Sequence, residues 1–302
     1  MNKKWAGVMP ATTTAFDDDL KIDHAFVAQH ANWLIDHGCT GIVTPGSLGE
    51  SATLTFDEKI QLWSTVVDAV GERAYVVAAI ASLSTVEAVR LAETAMDIGC
   101  SGLMVLPPYV YRGDWAEMKA HVEAVFLSTR LPCMLYNNPV AYGTDFLPEQ
   151  IAELAAEHQN FEAVKESSMD VRRITEIQEL VGDRLALFVG VDDLIVEGVL
   201  MGAVGWIAGL VNALPEESIA LFNYAMEGNR EEAMKLYNWF LPLLRMDTVP
   251  KFVQLIKLVQ QEVGMGNARV RPPRLLLEGE ELESALNTIR HALDHRPSSL
   301  RT

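Results

Sequence analysis

The chain has no glycine-rich nucleotide fingerprint of the Gly-x-Gly-x-x-Gly kind and no P-loop, so neither common phosphate cradle is present and no cofactor is expected. Positive charge is scarce: 24 Lys and Arg stand against 41 Asp and Glu, a formal net charge of −17. That balance argues against nucleic acid and anionic membrane as main partners. It leaves an acidic small molecule open, because a local site can be positive within a negative protein. No window reaches the roughly 18 uninterrupted apolar residues of a membrane span. The opening MNKKWAGVMP lacks the apolar stretch of a signal peptide, and a cytoplasmic protein is expected. Cysteine is limited to Cys39, Cys100 and Cys133, with no metal-like spacing. Each lies at or inside an apolar run, as small buried thiols do in a reducing compartment.

What is present is alternation. The 302 residues are 49% hydrophobic, enough for one large barrel with a small extension. Strand-like apolar runs occupy Gly7–Ala15, Gly41–Thr44, Ala74–Ile80, Gly102–Leu106, Cys133–Tyr136, Phe161–Lys165, Leu185–Val189 and Val204–Ala208. Helical spacing fills the intervals, as in Phe26–Ile35, Glu58–Val70, Val86–Ile98, Trp115–Leu127 and Ile151–Ala156. Strands alternating with helices imply parallel βαβ units, and eight of them fit a closed (β/α)8 TIM barrel of the α/β class. Thr55-Phe-Asp-Glu58 and Ser84-Thr-Val-Glu87 have the capping-box form at helix starts. Pro148 and Pro215 suit a first helical turn. After Glu227 the strand signal stops, and Arg230–Leu244, Val249–Val263 and Glu280–His295 read as three helices. The expected organisation is a barrel over 1–227 and a C-terminal three-helix extension over 228–302.

In such barrels the reactive groups gather at the C-terminal ends of the strands. Lys165 closes the run Phe161-Glu-Ala-Val164. It either snorkels to solvent there or sits at the barrel mouth with a desolvated amine. A neutral amine attacks a ketone, and the resulting iminium is an electron sink. Tyr136 ends the neighbouring strand, so its phenol can reach that amine and move protons, or it is simply an interfacial aromatic. Ser47 could relay a proton from Tyr136, with Tyr109 as a further donor. The turn Gly46-Ser-Leu-Gly49 either serves as a plain connection or turns its backbone N–H groups into a concavity suited to a carboxylate. The histidines are scattered, no His/Asp/Glu trio falls on the strand ends, and His24 and His121 are expected at the surface. No metal is expected.

Taken together, these segments resemble the dihydrodipicolinate synthase / N-acetylneuraminate lyase family of Schiff-base aldolases. Gly46-Ser-Leu-Gly-Glu-Ser51 looks like its carboxylate-binding loop, Tyr136-Asn-Asn-Pro139 like its tyrosine motif and Val164-Lys-Glu166 like its Schiff-base lysine motif. The resemblance implies catalytic roles for Lys165 (imine), Tyr136 (acid/base), Ser47 and Tyr109, the last often supplied by an adjacent subunit. It implies substrate binding by Leu48 and Gly49, and a pocket floor at Gly190 and Ile207. Asn138, Ala141, Tyr142 and Trp206 are expected opposite Lys165. It also implies a small 2-oxo acid or imino acid substrate and a homotetramer built as a dimer of dimers.

Two departures bear on the substrate. Where dihydrodipicolinate synthases usually carry an arginine two residues after the motif's proline, this chain has Ala141, and Ser47-Leu48 replaces their usual Thr-Thr. The run Tyr-Asn-Asn-Pro-Val-Ala-Tyr142 with Val270-Arg-Pro-Pro-Arg274 looks more like catabolic members, including deaminases of 4-hydroxy-1-pyrroline-2-carboxylate in hydroxyproline breakdown. The alternatives are an aldolase that makes or cleaves a pyruvate C–C bond (a 2-keto-3-deoxy sugar acid aldolase or dihydrodipicolinate synthase), and an inactive ligand-binding homologue.

Overall fold

Residues 5–297 are described by a computed structural model. The apolar runs form eight short strands: β1 (Gly7–Pro10), β2 (Gly41–Thr44), β3 (Tyr75–Ile80), β4 (Gly102–Val105), β5 (Cys133–Asn137), β6 (Phe161–Glu166), β7 (Ala186–Val189) and β8 (Gly205–Ala208). They pair in the order β1-β8-β7-β6-β5-β4-β3-β2, each ladder parallel. The ring closes between its ends: Ala11 bridges Val43, and the Thr12 amide donates to the Val43 carbonyl at 3.0 Å. Side chains fill one face of each strand and helices cover the other, which is why the strands read as continuous apolar runs. This is the expected (β/α)8 barrel.

All eight expected strands are found, with one correction of length. The first run was expected to stay extended to Ala15, but β1 ends at Pro10. Beyond it, Thr13 donates its hydroxyl to Gln260 Oε1 (2.7 Å) and its amide to Asn212 Oδ1 (3.4 Å), and the Thr14 hydroxyl bonds the Gly49 carbonyl (2.6 Å). Partners on the loops replace partners on a strand.

The α-helices among the described residues are α1 (His24–Asp36), α2 (Phe56–Val70), α3 (Thr85–Ile98), α4 (Trp115–Leu127), α5 (Pro139–Tyr142) and α6 (Pro148–Glu157). They continue with α7 (Arg172–Val181), α8 (Ile195–Leu200), α9 (Pro215–Met226), α10 (Arg230–Leu244), α11 (Phe252–Glu262) and α12 (Gly279–Asp294). None is long and apolar enough to cross a membrane. The expected capping box at α2 is complete: Thr55 Oγ1 accepts from the Glu58 amide (3.2 Å), and Glu58 Oε2 accepts from the Thr55 amide (2.9 Å). At α3 only half of it forms, because the Glu87 carboxylate accepts from the Ser82 hydroxyl instead of returning to Ser84. Pro148 and Pro215 open α6 and α9 as expected.

His121 is a second correction. It was expected at the surface but is buried, on the same face of α4 as Met118, Val122 and Val125, with Nδ1 3.0 Å from Thr85 Oγ1. All three cysteines are free and buried, and burial pushes the Cys39 and Cys100 thiols up to about 12.

The three expected C-terminal helices are α10, α11 and α12. The chain between the first two differs from expectation. A 3₁₀ turn, Arg245–Thr248, follows α10, and α11 starts only at Phe252. The intervening residues reach the barrel mouth.

Candidate active site

The register of β5 against β6 sets the site. Cys133 pairs with Phe161 but Met134 pairs with Ala163, so Glu162 is one residue in excess. This bulge brings Tyr136 level with Lys165. An uninterrupted ladder would pair Tyr136 with Val164, whose side chain leaves by the other face. As built, Lys165 Nζ lies 4.1 Å from the centroid of the Tyr136 ring. The next pair turns the other way. There Asn137 Nδ2 donates to Glu166 Oε2 (3.1 Å) and Asp145 Oδ1 (3.1 Å), and Asn137 Oδ1 accepts from the Phe146 amide (3.0 Å). Arg173 holds Asp145 at 2.8 Å, so both strand ends are pinned from behind.

Lys165 is buried, and burial lowers its pKa to about 8, against the opposing pull of Asp247 and Asp192. The neutral amine is therefore far more populated near neutral pH than for an ordinary lysine, although the protonated form still predominates below about 8. Burial pushes the Tyr136 phenol up to about 12, although the hydrogen bond from Asn138 acts the other way. Tyr136 thus keeps its proton. Its oxygen accepts from Asn138 Nδ2 at 3.0 Å, which leaves that proton free to point elsewhere.

The turn after β2 uses the amides of Glu50 and Ser51 for its own hydrogen bonds, to Ser47 O and Gly46 O, and not those of Ser47 and Leu48. The left-handed residue in it is Glu50 (φ 56°), neither of the glycines. Gly49 answers to space: a Cβ there would stand 2.8 Å from the Thr12 carbonyl oxygen.

The expected hydroxyl relay is rearranged. Ser47 Oγ hydrogen-bonds the Tyr142 hydroxyl and not Tyr136. Asn138 caps α5 by accepting from the Ala141 amide (2.9 Å), and this single turn folds Tyr142 back between the other aromatics. The Tyr142 ring meets Tyr136 edge-on at 5.9 Å and Tyr109 at 5.8 Å. Tyr109 therefore joins the cluster only through Tyr142.

One cavity of about 460 Å³ gathers Lys165, Tyr136, Ser47, Leu48, Asn138, Ala141, Gly190 and Ile207, as expected, together with Tyr142. Tyr109, Gly49 and Trp206 do not line it. Trp206 was expected in the wall but is fully buried, donating to Asp192 Oδ1 at 3.1 Å. Strand alternation gives the cavity to its neighbour Ile207 instead. The sequence reading missed Ser167, Asp247, Thr248 and Phe252 in the lining. It noted Arg274 as a feature of likeness without placing it there. Four of these five lie beyond the barrel strands, where no strand-end logic applied.

Gly190 has a demanding position. A Cβ there would meet Lys165 Cε at 2.6 Å and would also collide with Ser167 Oγ. Gly190→Ala is expected to displace the amine by about 1 Å and lower kcat about 10²-fold with little loss of stability. Parallel kinetics and thermal unfolding check this, and an unchanged kcat would mean that the amine tolerates displacement.

A trio of potential metal ligands, Glu123, Glu157 and His158, lies on the outer helices. Lys119 Nζ already sits there, 2.6 Å from Glu157 and 3.8 Å from Glu123, in the place a cation would take.

Comparison with known proteins agrees with this geometry. The sequence model of the dihydrodipicolinate synthetase family matches residues 4–292. A 4-hydroxy-tetrahydrodipicolinate synthase of Heliobacterium modesticaldum is 32% identical over 278 residues, 92% of each chain. A dihydrodipicolinate synthase of Bacillus anthracis superposes with a TM-score of 0.91 at 30% identity, covering 97% of this chain and 99% of the other. A prophage protein of the dihydrodipicolinic acid synthase family from E. coli K12, solved with pyruvate, gives 0.90 at 25%, covering 96% and 99%. The chain belongs to the dihydrodipicolinate synthetase family and is an aldolase-type lyase of the class that works through a lysine Schiff base.

Proposed function

We propose that Lys165 is the Schiff-base lysine and that it condenses with C2 of a small 2-oxo acid or cyclic imino acid. The Ser47 and Leu48 amides hold the substrate carboxylate, and Tyr136 moves the protons. The observation that carries this reading is a buried amine of lowered basicity, 4.1 Å from the Tyr136 ring inside the large cavity. Ser47 and Tyr142 form the hydroxyl pair beside it, with Tyr109 behind them.

Among the reactions open to such an iminium, loss of a substituent from C4 is the one we favour. The conversion of 4-hydroxy-1-pyrroline-2-carboxylate to 2-oxoglutarate semialdehyde and ammonia is the specific case. Ala141 offers no cation for a second carboxylate at its position, and the cavity's far wall is mixed, with Arg274 and Asp247 among apolar residues. A second reading is aldol joining of pyruvate to a semialdehyde, supported by the names of the Heliobacterium and Bacillus relatives. The intact lysine and tyrosine pair speaks against an inactive binder.

A coupled assay tests the choice with the hydroxypyrroline carboxylate, pyruvate plus aspartate semialdehyde, N-acetylneuraminate and 2-keto-3-deoxy sugar acids. The hydroxypyrroline carboxylate should give the largest kcat/KM, with release of ammonia. Turnover confined to pyruvate plus aspartate semialdehyde would replace the first reading with the second. Because only the neutral amine attacks, kcat/KM should rise with pH towards about 8. A profile flat across that region would contradict the role of Lys165.

The same reading treats 1–227 as the barrel and 228–302 as an extension that supplies one wall. It includes a homotetramer in which the exposed Val110 and Tyr111, beside Tyr109, face another subunit. A cytoplasmic setting is consistent with three free buried thiols.

A further inference from the structure

The 3₁₀ turn Arg245–Thr248 carries into the cavity a carboxyl group that none of the roles above uses. Asp247 is half-buried and packs on Gly209, where a Cβ would stand 2.6 Å from Asp247 Cγ. Asp192 approaches the same glycine but is fully occupied: its oxygens accept from the Gly209 amide (3.1 Å), the Leu210 amide (2.8 Å) and Trp206 Nε1 (3.1 Å). The Asp247 carboxyl has no hydrogen bond or ion pair to any other described residue. Its electrostatic neighbours are Asp192, Lys165 and Asp193, with the Tyr136 phenol also in range.

We propose that Asp247 is the catalytic acid that protonates the group departing from C4 of the bound substrate. This rests on the reading of Lys165 and C4 chemistry given above. An unpartnered carboxyl beside a second, fixed carboxylate and partly withdrawn from water holds its proton more tightly than usual. Burial and Asp192 push Asp247 well above the usual carboxylate range, with the Lys165 amine acting in the opposite direction.

The neutral Lys165 amine forms the C2 iminium, and Tyr136 gives its proton to the atom displaced from C2. The resulting phenolate takes a proton from C3, which leaves an enamine. The enamine electrons then form the C3–C4 double bond and restore the iminium. The C4–O bond breaks with its pair going to oxygen, which takes the Asp247 proton and leaves as water, and Asp247 becomes a carboxylate. Cleavage of the C3–C4 bond would instead need the C4 hydroxyl to lose a proton, for which a protonated carboxyl is in the wrong state. Asp247 therefore biases the site towards elimination.

The test compares wild type and Asp247→Asn, which keeps the shape and cannot donate. The probes are pyruvate with borohydride, 4-hydroxy-1-pyrroline-2-carboxylate and its 4-chloro analogue. Both proteins should give the reduced pyruvate adduct. With the hydroxy substrate the variant's kcat should fall about 10²-fold, and the fall in rate at high pH caused by ionisation of Asp247 should vanish. With the chloro analogue, whose chloride leaves without a proton, the variant should stay within a few-fold of wild type. Equal losses on both substrates, or wild-type turnover of the hydroxy substrate with an unchanged alkaline limb, would overturn the role of Asp247. So would a wild-type adduct without any turnover of the hydroxy substrate. Absence of an adduct in the wild type would instead remove the reading of Lys165 itself.

Discussion

Lys165→Ala should lower turnover about 10⁴-fold or more, the scale of loss when a covalent nucleophile is removed. It should also abolish the mass increment left on the protein by pyruvate and borohydride. The size of the effect follows from what the amine does: no other described residue lining the cavity is a lysine, and without the iminium the carbon acid at C3 has no electron sink. Lys165→Arg separates charge from nucleophilicity. If the site needed only a cation at the end of β6, arginine would keep much of the rate. If the amine bonds to C2, arginine fails as completely as alanine. Tyr136→Phe should still form the adduct, but slowly, because proton transfer contributes about 10²–10⁴-fold and does not make the bond. Peptide mapping of the reduced adduct decides the matter. A label on any other lysine, or one that survives in Lys165→Ala, sinks the assignment.

Lys257→Met should produce the largest loss of stability from a single side chain, about 3–5 kcal/mol. Lys257 on α11 is 1% exposed and Glu50 is 0% exposed, and their Nζ···Oε1 distance is 2.6 Å. The lysine also donates to the Arg269 carbonyl at 2.6 Å, and its Nζ lies 4.5 Å from the Phe16 ring centroid. The second Glu50 oxygen accepts from the Arg271 amide at 3.0 Å, with Arg274 3.8 Å away. Methionine fills the volume but leaves a buried carboxylate without its main counter-charge. The cost therefore comes from Glu50 and should shrink in the double variant Lys257→Met/Glu50→Gln. Denaturant unfolding of the four proteins measures it. If the two single changes simply add, the ion pair is not coupled in the way the geometry implies.

Periodicity made the barrel legible, because each strand is buried on both faces and announces itself as an apolar run. Motif order then placed Lys165, Tyr136, Ser47 and Leu48 around one cavity. The bulge at Glu162 was not legible, since one extra residue in an apolar run leaves no compositional trace, yet it turns Tyr136 towards Lys165. Trp206 was misplaced because a strand's apolar residues do not declare which face they occupy. His121 went wrong for a related reason: on α4 polar residues such as Glu117, Lys119 and Glu123 are interspersed with apolar ones, so one histidine gives no sign of facing inward. Tyr142 was placed in the wall but not recognised as the Ser47 partner, which depends on how tightly the Asn138–Pro139 turn folds back. Asp247 and Arg274 come from connections in the C-terminal part, where side chains reach the cavity through tertiary packing and no local pattern points to them.

The Glu50–Lys257 pairing has a consequence for the order of assembly, because its partners are separated by 207 positions. A ribosome delivers the acidic member, and the Ser47–Leu48 turn next to it, long before the basic member emerges. Until then that glutamate lacks its buried counter-charge, and an unpaired carboxylate favours water over the interior. The turn proposed to seat the substrate's carboxylate thus gains its buried counter-charge only late, and a nascent chain halted short of α11 would carry Lys165 without that support.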